Sequence, residues 1–558
     1  MKYSRLVQIY LDLEKITKRL EKTEILVEFL RNVKSNEIKN LVHLLQGRIF
    51  SESDQRKIGM GSRLILKVIA SSTGNPQEKV EEIWKDRGDL GNVAENLIKN
   101  KKQLTLAREE LTIDKVVDNI KKLAEIQGEG TVDKKIRLIV ELLNSSNPEE
   151  ARFIVSTILE ELRVGVAAGV IRDSLAKLFE VDVNEIEKAY NMITDYGELA
   201  ELLMEKGASA LEKVFVKVNI PIKSMLAILS ENIEEAFEAL GKPAQFEEKL
   251  DGFRVQIHKD KDIKIFTRNL ENVTKQFPDI VKYVKENIKA KNFILDGEAV
   301  AYDKKTKKHL SFQTISQRIK RKYDIYQMAK DFPIELNLFD VIYCNNRSLI
   351  NERLLKRREI LEAITKQEKG KIVLTKKLVT DDLKKAKKFF EDCLKDGNEG
   401  VMIKNINSGY VAGKYVNGWM KLKNILEPLD LVIVGAEYGE GKRAGWFTSY
   451  TVACKKGNEF LEIGKVSTGI KEKTEGLTYK EITRLLKPLI ENKKGKEVII
   501  KPGIILEVAY EEIQVSNKYS SGFGMRFPRA LRKRDDKSLD EVSDIDLVKK
   551  IFKIQKGK

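Results

Sequence analysis

A chain of 558 residues is too long for one ordinary core and implies two to four domains. Its 42% apolar residues can fill real cores, yet no apolar run is long enough to cross a bilayer, so a helical membrane protein is excluded at this stage. The formal net charge of +17, from 102 Lys and Arg against 85 acidic residues, suits a polyanionic partner such as nucleic acid, although a Lys- and Glu-rich, Cys-poor composition also fits adaptation to heat.

Met1-Lys2-Tyr3-Ser4-Arg5 opens into a charged amphipathic stretch rather than a secretory leader, and a cytoplasmic protein is expected. Residues 1–213 read as all-helical: Ile25, Leu26, Phe29, Leu30 and Val33 fall at helical spacing, and Asn147-Pro148-Glu149-Glu150 is a helix start. From about Val214 strand patterns dominate. Phe253–Ile257 alternates, turns at Lys259–Asp262 and resumes at Ile263–Phe266, which predicts a hairpin. Further strands are expected at Phe293–Leu295, Leu336–Phe339 and Val401–Ile403. A third region, 428–558, holds short strands with Gly turns and predicts a small β-barrel of OB type, followed by a helix for which Ser543 is the expected N-cap. The three cysteines, Cys344, Cys393 and Cys454, are too scattered for a zinc site and read as ordinary semi-buried thiols.

The chemical signal centres on Glu247-Glu248-Lys249-Leu250-Asp251-Gly252-Phe253-Arg254, a lysine just ahead of an Asp-Gly turn. In a chain this rich in lysine, Lys-x-Asp-Gly alone is weak. Other motifs follow it in order: Asp296-Gly297-Glu298 and Leu338-Phe339-Asp340 at expected strand ends, Glu399-Gly400 at a strand start with Lys404 beyond it, Trp419-Met420-Lys421-Leu422-Lys423, and the basic block Arg526-Phe527-Pro528-Arg529 through Lys537. Each alone could be a solvated face or a turn, but their chance assembly in this order is very improbable.

This series resembles the motifs of the covalent nucleotidyltransferases, and its order and C-terminal block are similar to those of ATP-dependent DNA ligases of the archaeal and eukaryotic replicative type. The resemblance covers nearly the whole chain. It implies a multi-domain α + β protein: an all-helical DNA-binding domain (1–213), an ATP-grasp-like α+β nucleotidyltransferase domain (214–427) and an OB-fold barrel carrying the basic motif (428–558). It implies that Lys249 attacks the α-phosphate of ATP. A free lysine amine titrates near ~10.4, so such use needs neighbours that hold a proton off; by resemblance Lys404, Lys421 and Lys423 converge there. Glu298 and Glu399 are implied to hold Mg²⁺ or contact ribose, Phe339 to stack on adenine, Glu247 to meet the base, and Arg254 and Arg268 to meet the ribose and later a nick 5′-phosphate. Within the basic block Arg532 and Lys537 are the expected phosphate contacts. One departure stands out: where relatives often carry an Arg six positions before Lys421, this chain has Tyr415, preceded by Lys414.

The implied partner is nicked duplex DNA, gripped mainly through its backbone by a monomer, in replication, repair and recombination. Gln103-Leu104-Thr105-Leu106 falls where relatives bind a sliding clamp, but the aromatic pair is missing and an ordinary polar loop is an equal reading. NAD-dependent ligases need a four-cysteine zinc site, which three cysteines cannot supply. An RNA ligase or capping enzyme is the rival enzyme class, opposed by the helical domain. A DNA-binding scaffold with a dead catalytic fold is the non-enzymatic rival, opposed by the intact set of Lys249, Glu298, Glu399, Lys421 and Lys423.

Overall fold

The computed structural model describes residues 1–101, 110–126, 128, 130–310, 312–320, 323–413, 415–423, 426–439, 443, 445–472 and 477–555. The Gln103 segment and Lys414 lie outside them. The N-terminal part is helical from Tyr3–Glu14 to Tyr196–Lys206, and its helices share one core running from Tyr3 to Leu203. The helix Pro148–Ile158 begins as its sequence predicts: the Asn147 side chain accepts from the Glu150 N–H (2.8 Å) and the Glu150 carboxylate accepts from the Asn147 N–H (2.9 Å). Among the described residues no helix is long and apolar enough to cross a membrane.

The middle region contains β1 (Leu226–Leu229), β2 (Ala244–Lys249), β3 (Phe253–Lys259), β4 (Ile263–Thr267), β5 (Phe293–Asp303) and β6 (Lys308–Leu310). It continues with β7 (Ile334–Cys344), β8 (Arg347–Ser348), β9 (Ile372–Leu374), β10 (Lys377–Thr380), β11 (Gly400–Asn405) and β12 (Tyr415–Lys423). These strands form two sheets. One has the order β1-β12-β11-β2-β10; the other has the order β4-β3-β5-β7-β8, with β6 on β5 and β9 on β7. The chain crosses from the first sheet to the second between Lys249 and Phe253, so the Lys-x-Asp-Gly turn joins the sheets rather than two arms of one hairpin. The expected hairpin is present where its alternation put it, as β3 and β4. Two strand ends differ from expectation. Asp296–Glu298 and Leu338–Asp340 lie in mid-strand, because β5 and β7 pair with each other over almost their full lengths.

A connecting segment reaches the second sheet from the helical part. Gln256 on β3 accepts from the Ile222 N–H (2.9 Å), and His258 Nδ1 accepts from the Asn219 N–H (3.0 Å) while its Nε2 meets Gln256 Oε1 (2.8 Å). His258 is fully buried. Both ring nitrogens are committed to a neutral tautomer, since a second ring N–H would face the Asn219 N–H. Burial, then Lys264, pushes the imidazole down to about 3.

In the C-terminal part, strand Leu429–Tyr438 pairs with Phe447–Lys456, Glu497–Ile500 and Ile505–Ala509, and Arg529–Lys533 adds to Ile505–Ala509. A parallel bridge between Thr468 and Arg529 brings the sheet's margins together into a barrel. The helix Ile545–Ile554 packs into the barrel core. Its N-cap is Asp544, not Ser543: the Asp544 carboxylate accepts from the Leu547 N–H (2.7 Å), while the Ser543 hydroxyl accepts from the Asp430 N–H (3.0 Å) and ties the helix start to the first barrel strand.

Because His258 titrates at about 3 in the fold and near 6.5 when exposed, the unfolded chain takes up its proton first, and stability is lost as the pH falls from 6.5 toward 3. His258→Asn is less stable than the parent at neutral pH, but it lacks this acid penalty. The stability gap between parent and variant should therefore narrow by about 1.4 kcal/mol per pH unit between about pH 6 and pH 4 in denaturant titrations. A gap that stays constant with pH would mean that His258 is not held neutral.

Candidate active site

Strand register builds the floor of a cavity of about 630 Å³. On the first sheet Lys249 (β2) lies opposite Gly400 (β11), which lies opposite Lys423 (β12). The next row inward is Glu247, Met402 and Lys421, and the third is Gln245, Lys404 and Trp419. Directly opposed residues share a face, so these three rows present one surface to the cavity. Gly400 has no side chain between the two lysines of the outer row, and it could not have one. Its φ is +148°, and an added Cβ would stand 2.1 Å from the Leu422 carbonyl oxygen. Gly252 is constrained in the same way: a Cβ there would meet the Ala299 oxygen at 2.5 Å and Glu298 Cγ at 2.9 Å, so its absence lets β5 approach the crossing point.

The second sheet supplies the facing wall. Arg254 and Glu298 are opposed across β3 and β5. Arg254 is held by a fork to Asp296 (Nε–Oδ1 3.0 Å, Nη2–Oδ2 2.6 Å) and donates to the Met225 carbonyl (2.6 Å). The Tyr410 hydroxyl donates to the same carboxylate (2.8 Å). Between β5 and β7 the register slips, with Asp296 opposite Asp340 but Gly297 opposite Leu338, so Phe339 is the extra residue of a bulge and turns into the cavity. Its ring meets Trp419 edge-on at 5.9 Å, and Lys404 Nζ lies over both rings at 4.7 and 4.4 Å.

Charge sorts into two ends. At the mouth, Lys249 donates to Glu399, and Lys423 lies 3.4 Å from the same carboxylate and 2.9 Å from Glu511 of the C-terminal part. Burial alone would raise the Glu399 carboxyl, but Lys249 and then Lys423 outweigh it and hold it below the usual range. The Lys421 amine is lowered, first by burial and then by Lys423 and Lys249. Across from them burial pushes Glu298 up to about 8 against the pull of Lys249 and Arg254. Asp251 is pushed up to about 6, again first by burial, with Glu399 and Glu512 adding to the rise. At the inner end Lys404 and Glu247 form a buried pair (2.6 Å), and Gln245 donates to the other Glu247 oxygen (2.6 Å). The indole Nε1 of Trp419, buried in this wall, has no hydrogen-bond partner among the described residues.

The structure thus gathers Glu247, Lys249, Arg254, Arg268, Glu298, Phe339, Glu399, Lys404, Lys421 and Lys423 around one cavity. It does not bring Lys404 to the mouth lysines; two rows inward, its ammonium is spent on Glu247. Nor does it bring Arg532 or Lys537 to the cavity: Arg532 pairs with Glu507 (2.6 Å) and Lys537 with Asp430 (2.7 Å), both on the barrel itself. From the basic block it is Arg526, 3.5 Å from Asp251, and Phe527 that face the cavity. Arg526 stands in the basic block without being singled out there, Asp296 stands in its motif without an expected role, and Glu511 and Tyr410 belong to none of the motifs. A buried Asp-Arg pair could have been suspected from Asp296 in its motif; Glu511 and Tyr410 carry no local signal.

Family models match this chain along most of its length. "DNA ligase N terminus" covers residues 2–176, "ATP dependent DNA ligase domain" 224–423 and "ATP dependent DNA ligase C terminal region" 443–537. The chain is 45% identical to a DNA ligase of Nanoarchaeum equitans, with 100% of this chain and 99% of that one covered. It is 39% identical to a DNA ligase of Thermococcus fumicolans over 100% and 99% of the two chains, and 39% identical to one of Archaeoglobus fulgidus over 97% of each. Among solved structures, that of Pmar-Lig_Pre shares the fold with a TM-score of 0.57 at 17% identity, over 95% of this chain and 99% of that one. Full-length relatives at this identity, together with a lysine-lined cavity in the matched central region, lead to one assignment: the chain belongs to the ATP-dependent DNA ligase family.

Proposed function

We propose that Lys249 is the nucleophile of a nick-sealing reaction in three steps. First, the Lys249 amine takes the adenylyl group from ATP and pyrophosphate leaves. Second, that group passes from Lys249 to the 5′-phosphate at a nick in duplex DNA. Third, the 3′-hydroxyl attacks the activated phosphate, forming the phosphodiester and releasing AMP. The observation that carries the reading is the outer row, in which Lys249 and Lys423 flank a glycine that leaves open space between two amines. A neutral Lys249 amine facing a cationic Lys423 across a bare backbone suits attack on a tetrahedral phosphate whose charge the second lysine offsets.

The chain's residues divide the work. Glu399, kept ionised by its lysines, orients the Lys249 amine by accepting its hydrogen bond. Lys421 and Lys423 face the charge that develops as pyrophosphate departs. Phe339 and Trp419 offer aromatic surface for a base, and the unpartnered Trp419 Nε1 is a donor that a nucleotide can satisfy. Glu247 is held ready by Lys404 and Gln245 as a fixed acceptor at the inner end. Arg254, locked by Asp296, retains a donor for ribose or phosphate oxygen.

Among the described residues no cluster of three or more ligand side chains makes a ready metal cage. Mg²⁺ fits the site differently, since it commonly takes one or two carboxylates with substrate phosphate oxygens and water. Glu298 and Glu399 on opposite walls would be those carboxylates. The ion would neutralise phosphate charge and align the leaving group. We further read the protein as a cytoplasmic monomer that grips DNA backbone without sequence preference, on the strength of the family and the net charge of +17.

Lys249→Ala should abolish covalent labelling of the full chain by α-³²P-ATP while leaving its thermal unfolding near that of the parent. Persistent labelling would assign the nucleophile elsewhere. Gly400→Ala should move the lysines of the outer row apart, because the new Cβ meets backbone rather than a yielding side chain. The expected loss is roughly 1–3 kcal/mol of stability and on the order of 10²-fold in the rate of adenylylation, measured at saturating ATP. A fully active Gly400→Ala would show that the spacing of that row does not govern the chemistry.

A further inference from the structure

The cavity rim receives a contact from outside both sheets. The loop between the helices Ser35–Leu45 and Ser62–Thr73 reaches the turn after β4 with one side chain. Gln55 Nε2 donates to the Leu270 carbonyl (3.0 Å) and Gln55 Oε1 accepts from the Asn272 N–H (3.0 Å). One amide thus gives a bond and takes a bond on either side of Glu271, as a neighbouring strand would, and fixes the turn against both sliding and rotation. The turn has reason to need holding. Leu270 has φ +66°, a region costly for a bulky side chain, while that side chain is buried. Inside the turn the Thr267 N–H donates to Glu271 O and the Leu270 N–H to Thr267 O, both at 2.9 Å.

The loop that presents Gln55 is itself well tied. Glu52 accepts from Lys223 (2.8 Å) and from the Tyr190 hydroxyl (2.5 Å). The Arg56 guanidinium forks onto Asp54 (Nε–Oδ1 3.1 Å, Nη2–Oδ2 2.7 Å) and lies 4.3 Å from the Phe50 ring centre. Arg268, on the turn that Gln55 clamps, lines the cavity. Among the described residues its guanidinium has no hydrogen bond or ion pair to hold it, so the turn that carries it bears on where it stands over the cavity.

We propose that Gln55 is a positioning residue through which the helical region sets Arg268 for transfer of the adenylyl group to the nick 5′-phosphate. This rests on the reading that Arg268 meets that phosphate. The helical region then does more than hold DNA: it completes the reaction centre by fixing the turn that carries a phosphate-binding group.

The test uses the full chain, adenylylated with ATP beforehand and mixed with nicked duplex in a single turnover. Gln55→Ala should lower the transfer rate at saturating nick by about 5-fold, the worth of roughly one net hydrogen bond. The nick concentration giving half that rate should stay within about 2-fold of the parent's, since no DNA contact is removed. In an Arg268→Ala background the same substitution should change the rate by less than about 1.5-fold, because two residues acting as a unit do not add. Thermal unfolding of each variant checks that the fold is intact. An unchanged rate for Gln55→Ala, an equal loss in both backgrounds, or a loss confined to DNA affinity would each overturn the proposal. Arg268→Ala transferring as fast as the parent would sink the assignment of Arg268 itself, and this inference with it.

Discussion

Three antiparallel strands set two lysines on one row of a sheet with a glycine between them, and much of the molecule can be understood as the consequence of keeping that row. Like charges brought together in a partly closed cavity repel, and burial adds a desolvation cost. The fold offsets this with Glu399, whose backbone N–H also bonds the Lys249 carbonyl (2.9 Å), so that the carboxylate shared by both lysines sits immediately before the glycine that separates them. Gly400 is required twice: once for its backbone angle and once because the Leu422 carbonyl occupies the place of a Cβ. The pair Glu399-Gly400 is therefore one structural device, a counter-charge followed by a gap.

The inner end follows different physics. Glu247 and Lys404 are both nearly inaccessible, and such a pair adds little net stability because the attraction mostly repays desolvation. Its value in the proposed reaction is orientation. With one oxygen bound to Lys404 and the other to Gln245, the Glu247 carboxylate cannot turn, and the aromatic rings of Phe339 and Trp419 are fixed beside it by the same lysine. The mouth, by contrast, is built from contacts that anionic substrate groups can replace. Glu511, reaching in from the C-terminal part, stands on Lys423 much as a phosphate oxygen would.

How much of this was legible in the sequence depends on whether a residue's role is local. The capping box at Asn147, the hairpin after Gly252, the helical first part and the ordered motifs around Lys249 are carried by short-range patterns and are found where those patterns put them. The strand ends at Asp296 and Leu338 were misread because pairing between β5 and β7 continues past the polar motif residues; a tertiary ladder overrode the local break. The reason Phe339 faces the cavity, a register slip, is invisible without the partner strand. The resemblance groups Lys404 with Lys421 and Lys423. Only the register separates it by two rows, and only Glu247 shows what holds its charge.

The C-terminal block shows the same limit from another side. Arg526, Arg532 and Lys537 look equivalent in sequence, but the barrel sends them to different tasks: Arg532 and Lys537 close ion pairs with Glu507 and Asp430 of its own strands, while Arg526 crosses to Asp251 in the Lys-x-Asp-Gly turn. That crossing makes the barrel a wall of the cavity, just as Gln55 makes the helical part a support for its rim. The helical part shares apolar core with the two central sheets, Met192 being buried with Ile294, Phe339 and Trp419, whereas the barrel's attachment rests on a few polar contacts, its buried clusters being separate from those of the sheets. Contacts of this kind are weak singly and exchange readily with water and with phosphate. A reaction that must admit ATP, release pyrophosphate and then take in a nicked duplex needs walls that can part without unfolding. The polar seam of the barrel gives it that freedom, because the row that holds the nucleophile belongs to a sheet that this seam need not break.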